Sequence, residues 1–72
     1  MLPQNFAKRL RGFRKLKNMT QHELAESVEM PVSVIGKLER GTRLPNDQQK
    51  IRIAKALHVT VEELDSISQR EE

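Results

Sequence analysis

The chain has 72 residues, a formal net charge of +3 and no cysteine. This length favours one domain with a small core, near the lower limit of independent stability. Without cysteine there is no disulfide and no cysteine-based zinc site. His22 and His58 lack metal-ligand spacing, so we predict no metal site, and we expect no cofactor. No apolar run approaches the roughly 20 residues of a membrane span, and the N-terminal residues lack the apolar region of a signal peptide. We therefore expect a cytoplasmic protein without membrane contacts.

The charge is distributed unevenly along the chain. Residues 1–45 contain nine Lys or Arg against four Asp or Glu, whereas residues 46–72 contain four against six. A basic N-terminal half suits the phosphate backbone of a nucleic acid, because neutralising phosphates releases counterions. The alternative is an ordinary solvated helix face. The first predicted helix carries six of the basic residues: Lys8, Arg9, Arg11, Arg14, Lys15 and Lys17.

The sequence pattern predicts five helices and no strand. The first runs from about Asn5 to Lys17, with Asn18 as a left-handed terminator. Its apolar stripe contains Phe6, Leu10 and Phe13, with Leu16 as an additional candidate.

The second and third predicted helices are joined by a tight turn. Thr20 caps the second helix, and Glu23 completes a capping box. Pro31 ends the turn, because it cannot continue a helix but suits the start of the next. The third helix spans about Val32 to Glu39 and ends at Gly41. The apolar positions of this pair are Leu24, Ala25, Val28, Ile35 and Leu38.

Two more helices follow a short link. Asn46 caps the fourth helix with Gln49, and Thr60 caps the fifth with Glu63. We predict an inner face of the fourth helix formed by Ile51, Ala54 and Leu57, with Ile53 to one side.

Three segments occur in order at characteristic separations: TQHELA at 20–25, IGKLERG at 35–41 and AKALHVTVEEL at 54–64. Together they resemble the lambda-repressor-like (Xre/Cro type) helix-turn-helix family of DNA-binding regulators. The resemblance implies an all-α, compact five-helix lambda-repressor-like DNA-binding domain in residues 1–65, in which helices 2 and 3 form the helix-turn-helix. Residues 66–72 then form a polar tail. It also implies a cytoplasmic protein associated with a bacterial or phage nucleoid.

Matching the motif residue by residue implies a base-reading set on the third helix, formed by Val32, Ser33, Gly36 and Lys37. Lys37 can donate to guanine, Ser33 can pair with several bases, and Val32 can meet a thymine methyl group. Gly36 would allow the backbone to approach closely. The alternatives are that Val32 covers the turn, and that Ser33 and Lys37 are plain solvent-exposed residues.

A phosphate-binding set surrounds these positions, because a helix N-terminus and nearby cations attract anions. The backbone amides of Gln21 and His22 begin the second helix, and Gln21 matches the glutamine that many family members use for a phosphate. The full predicted set is Thr20, Gln21, Arg40, Thr42 and Arg43.

The resemblance further implies a largely buried ion pair between Arg14 and Glu39, which would brace the first helix against the third. The alternative is that both are surface charges.

Three departures from the family pattern are visible. Glu29 stands where Gly is usual, so a positive φ there would be strained. Asp47 and Lys50 replace apolar residues, so a turned or loosely packed fourth helix is expected. Pro31-Val32 replaces polar residues, which leaves the base preference open.

We therefore expect a sequence-specific regulator that binds double-stranded DNA, most simply a repressor acting as a homodimer on a two-fold operator. The predicted dimer interface contains Val61, Leu64 and Ile67, and we expect a weak dimer that forms mainly on DNA. The alternative is a protein-binding module with a regulatory protein partner, as in antitoxin or anti-repressor complexes. An enzyme is not expected, because no nucleophilic cysteine, phosphate-binding glycine loop or His–carboxylate constellation is present.

Overall fold

The computed structural model describes residues 3–65 of the chain. They form five helices: α1 (Pro3–Leu16), α2 (Gln21–Val28), α3 (Val32–Arg40), α4 (Asp47–Leu57) and α5 (Val61–Asp65). No strand occurs in this part of the chain, and the predicted all-α five-helix fold is confirmed. No helix within the described range has the length and apolar character needed to cross a membrane.

Capping boxes set the starts of three helices, as predicted. The Thr20 hydroxyl accepts the backbone N–H of Glu23 at 3.0 Å, and the Glu23 carboxylate accepts the N–H of Thr20 at 2.8 Å. Each box satisfies two backbone donors at a helix start. The same arrangement precedes the other two helices, with Asn46 and Gln49 at α4 and Thr60 and Glu63 at α5.

Residues in the left-handed backbone conformation lie at the ends of the first four helices. Asn18 has φ of 59°, as the sequence predicts. Glu29 also has φ of 59°, so the strain considered for this position is present, and Gly41 has φ of 78°. His58 also has φ of 59° and ends α4, which the sequence pattern did not reveal. A side chain with a Cβ is strained in this region by about 1–2 kcal/mol, and Asn tolerates it better than most residues.

The helices pack in a closed ring in which α1 contacts α3, α3 contacts α2, α2 contacts α4, α4 contacts α5, and α5 contacts α1. The ring encloses the apolar core. The five apolar positions predicted in α2 and α3 are all buried, whereas Leu16 is 74% exposed and lies outside the core. The fully buried side chains include one carboxylate, Glu39, and the apolar residues Phe6, Leu10, Leu24, Val28, Ile35, Leu38, Ile53, Leu57 and Leu64.

The predicted inner face of α4 is wrong in one residue. Ile53 is fully buried, whereas Ile51 is 49% exposed. Ile53 and Leu57 are four residues apart and share a helical face, with Ala54 beside them. Ile51 is six residues from Leu57, which turns its side chain toward solvent.

The unusual polar residues of α4 do not loosen the helix. Asp47 lies in its first turn, where a carboxylate is favourable beside free backbone N–H groups. Lys50 reaches the Asp65 carboxylate of α5 at 3.2 Å. Ile53, Ala54 and Leu57 are buried, so the inward face of α4 is rotated from the predicted one but is not loosely packed.

The predicted dimer interface also changes. Leu64 is fully buried in the monomer core, so its assignment to an intermolecular contact is wrong. Val61 is half-buried against the same core. Ile67 lies outside the described residues. A five-residue helix such as α5 must place its single best apolar side chain inward to attach at all.

Candidate nucleic-acid interface

A buried ion pair fixes α3 against α1. The Arg14 Nε donates to Glu39 Oε2 at 2.6 Å, and Arg14 Nη2 donates to Oε1 at 3.1 Å. The Glu39 side chain is 2% exposed. Its Oε1 also accepts the Gln21 side-chain amide at 2.9 Å, and Arg14 Nη1 donates to the Met19 carbonyl at 2.8 Å. A planar guanidinium suits such a two-point contact, so α1, α2 and α3 meet in a defined orientation.

The opposite side of α3 faces solvent. Ile35 and Leu38 are fully buried, whereas Ser33, Lys37 and Arg40 are exposed. Ser33 and Lys37 are four residues apart and therefore lie on the same helical face. These two predicted base-reading residues are thus placed side by side, on the face turned away from the core.

The other two predicted base-reading positions are less open. Val32 is half-buried and packs against the core, which agrees in part with the alternative that it covers the turn. Gly36 is buried, and the Arg40 Nη1 lies 3.1 Å from the place that a Cβ at position 36 would occupy. In this arrangement the Arg40 guanidinium covers Gly36, so the expected close approach of the backbone would require Arg40 to move.

The start of α2 combines free and engaged donors. The Thr20 hydroxyl oxygen accepts the Glu23 N–H, which leaves its own O–H to donate elsewhere. The Gln21 amide already donates one hydrogen to Glu39. One amide hydrogen of Gln21 and the first backbone N–H groups of the helix remain for an anion.

The segment after α3 contributes one well-placed cation. Arg43 is exposed and forms no ion pair within the described residues. Thr42 is exposed, but its hydroxyl donates to the Lys37 carbonyl at 3.2 Å, so its side chain helps to close the end of α3. Its role as a phosphate ligand is correspondingly weakened.

Four of the five basic residues of α1 divide into two groups. Arg9 donates to the Glu63 carbonyl at 2.9 Å and its guanidinium lies 5.5 Å from the centre of the Phe13 ring, so it ties α1 to α5. Arg14 is used in the buried pair. Lys8 and Arg11, by contrast, border α3. The sequence shows that α1 is basic, but only the packing shows which of its cations accompany α3.

Comparison with known proteins agrees with this geometry. A helix-turn-helix family model matches residues 10–64. The chain belongs to the lambda-repressor-like (Xre type) helix-turn-helix family. It is 39% identical over 59 residues to the uncharacterized HTH-type transcriptional regulator YazB of Bacillus subtilis (strain 168). The matched residues make up 82% of this chain and 86% of YazB.

Solved structures show the same fold. The restriction-modification controller protein C.AhdI of Aeromonas hydrophila has a TM-score of 0.83 and 32% identity, over 86% of this chain and 94% of that one. The clp gene regulator ClgR of Corynebacterium glutamicum has a TM-score of 0.84 and 28% identity, over 89% and 68% of the two chains. The predicted class, a DNA-binding helix-turn-helix regulator and not an enzyme, is thereby confirmed.

Proposed function

We propose that this protein is a transcriptional repressor that inserts α3 into the major groove and binds a two-fold operator as a homodimer. One observation carries the proposal: Ser33 and Lys37 project from the exposed side of α3 while Glu39 is locked on its buried side. A helix-turn-helix presents its second helix to base edges in this way.

Base reading is assigned to the exposed face of α3. Lys37 donates to guanine O6 and N7, and Ser33 pairs with a neighbouring base. The exposed edge of Val32 contacts a thymine methyl group. Because Gly36 is covered by Arg40, it is not included in the base-reading set.

Phosphate contacts are assigned to both ends of the motif. The backbone N–H groups of Gln21 and His22 stand at the first turn of α2, where helix geometry leaves them without partners inside the helix. Arg40 and Arg43 are exposed at and beyond the end of α3. Such contacts fix the position of the protein on the duplex while α3 reads the sequence.

The homodimer needs a surface other than Leu64. Val61 is half-buried, and Ile67 stays a candidate outside the described residues. Leu44 and Ile51 are 41% and 49% exposed, and both follow α3 in the chain. We therefore add these two side chains to the proposed interface.

Half-site titrations test that interface. Ile51→Glu should abolish cooperative binding to two half-sites and leave binding to one half-site unchanged. Leu16→Glu, which places the same charge at an exposed leucine of α1, is the matched control. Unchanged cooperativity for Ile51→Glu would exclude Ile51 from the interface.

Repression requires only that the protein occupy DNA at a promoter. C.AhdI, a restriction-modification controller, is matched over 94% of its chain, so a regulator need contain little more than this domain. The experiment is selection of bound duplexes from a random library, followed by a reporter driven by a promoter that contains the recovered site. We expect an inverted repeat with half-sites about one helical turn apart, and reduced reporter transcription. Failure to enrich any sequence would contradict the proposal.

A further inference from the structure

A cationic pocket lies between α1 and α3, beside the exposed face of α3. It has a volume of about 200 Å³. The one acidic residue that lines it, among those the structure describes, is neutralised, because the Glu39 carboxylate is bound by Arg14 and is 2% exposed. The pocket is lined by Ala7, Lys8, Arg11, Glu39 and Arg40.

In the part of the chain that the structure describes, the three cations of this pocket have no acidic partners. Within the described residues the ion pairs are Arg14–Glu39 and Lys50–Asp65, and neither includes Lys8, Arg11 or Arg40. Three like charges repel one another when they converge at short range, unless an anion lies between them. The arrangement is therefore suited to an anionic ligand.

Two of the three cations lie against α3 in defined positions, and one of them is anchored by a hydrogen bond. Arg11 Nη1 donates to the Glu39 carbonyl at 2.6 Å, which anchors the guanidinium and leaves other N–H donors free. Arg40 folds back along α3, with Nη1 3.1 Å from the Cβ position of residue 36. A Cβ at position 36 would be closer to this nitrogen than an ordinary van der Waals contact, so Gly36 allows the Arg40 guanidinium to lie here, and Ala in its place would displace the guanidinium by a few tenths of an ångström.

We propose that Lys8, Arg11 and Arg40 bind a phosphodiester of the DNA strand beside the recognition helix, and that Gly36 is a positioning residue for Arg40. The ligand chemistry is a phosphate group, which guanidinium donors bind in a forked geometry. This inference rests on the proposed insertion of α3 into the major groove, because Arg40 belongs to both the exposed face of α3 and the pocket.

The salt dependence of operator affinity tests the role of Gly36. Gly36→Ala should weaken binding roughly tenfold, the loss of one charge-assisted contact, and should shallow the salt slope by about one unit. Its melting temperature should not fall, because Ala is the better helix former. Arg40→Ala should produce the same loss, and the double variant should lose no more than Arg40→Ala alone.

Two results would overturn this role. An undiminished effect of Gly36→Ala in the Arg40→Ala background would mean that position 36 meets DNA directly. Unchanged affinity and salt slope for Gly36→Ala would mean that the Arg40 position beside Gly36 does not contribute to DNA binding. In either case the wild-type protein would still bind its operator, whereas the absence of any duplex binding would instead overturn the proposed function.

Lys8 provides a second test with a matched control. Lys8→Gln should also shallow the salt slope by about one unit, whereas Lys55→Gln should not, because Lys55 is exposed on α4, which packs against α2 and α5. Equal changes in the salt slope of the two variants would indicate a general charge effect and overturn the site.

Titration of the DNA-free protein with inorganic phosphate distinguishes a phosphodiester of DNA from a free phosphate compound as the ligand. We expect no saturable binding at millimolar phosphate, and saturable binding that Lys8→Gln removes would assign the pocket to a free phosphate compound.

Discussion

The α1–α3 and α4–α5 junctions are each closed by an ion pair, but the two pairs differ in burial and geometry. The Arg14 and Glu39 side chains are 12% and 2% exposed and share two hydrogen bonds. Lys50 and Asp65 are 20% and 29% exposed and share one contact of 3.2 Å. A pair removed from water interacts strongly but is costly to break, whereas a partly hydrated pair contributes little.

The carboxylate oxygens of the two ion pairs also differ in how fully they are hydrogen-bonded. Both carboxylate oxygens of Glu39 accept hydrogen bonds. Asp65 Oδ1 is buried and has no hydrogen-bond partner within the described residues. The α1–α3 junction is therefore fixed by polar contacts in a defined geometry. The α4–α5 junction depends on apolar burial of Ile53, Leu57 and Leu64.

The largest expected effect is on the first of these junctions. Glu39→Gln should lower the free energy of unfolding by about 3 kcal/mol, because it replaces one acceptor oxygen by an amide that faces the Arg14 donors in a buried site. Small domains have total stabilities near 5 kcal/mol, so most of the folded margin would be lost. Chemical denaturation measures it.

Glu23→Gln is the matched control for that change. The substitution is chemically identical, but Glu23 is exposed and a capping box accepts Gln in its place. Its unfolding free energy should stay near that of the wild type. Equal stabilities for the Glu39→Gln and Glu23→Gln variants would contradict the importance of the buried pair.

A smaller effect is expected at the ends of α2 and α4, where Glu29 and His58 have a positive φ. Glu29→Gly should stabilise the protein by about 0.5–1 kcal/mol, since relief of the strained φ exceeds the added entropy of the unfolded chain. His58→Gly should stabilise it less, because Glu29 also places a negative charge beside the carbonyl end of α2. Thermal melts of the two variants decide this, and destabilisation by Glu29→Gly would disprove the strain.

The smallest effect is expected at the α4–α5 junction. Lys50→Gln should change the unfolding free energy by about 0.5 kcal/mol or less, because the pair is partly hydrated. The measurement should be made at low and high salt. A loss as large as that of Glu39→Gln would remove the contrast between the two junctions.

Much of the fold could be predicted because its signals are local. The Thr20–Glu23 box and the terminator Asn18 act within one helical turn, and the structure has both. The sequence predicts the wrong sides for Ile51 and Ile53 because the segment IRIAKAL contains apolar residues compatible with two stripes. The packing of α4 against α2 and α5 determines which of the two stripes is buried.

The candidate site was only partly predictable for a similar reason. The exposed positions of Ser33 and Lys37 follow from helical periodicity once Ile35 and Leu38 are placed in the core. The covering of Gly36 by Arg40 depends on the conformation of a long side chain, which no spacing rule specifies.

The central claim is that α3 reads bases while neighbouring residues hold the backbone. The most direct test compares Lys37→Ala and Arg43→Ala in affinity measurements on the selected operator and on random duplex DNA across a range of salt concentrations. We predict that Lys37→Ala loses about 1–3 kcal/mol on the operator alone and relaxes one base position, whereas Arg43→Ala weakens both duplexes equally and shallows the salt slope by about one unit. Equal loss on both duplexes for Lys37→Ala would contradict base reading by α3.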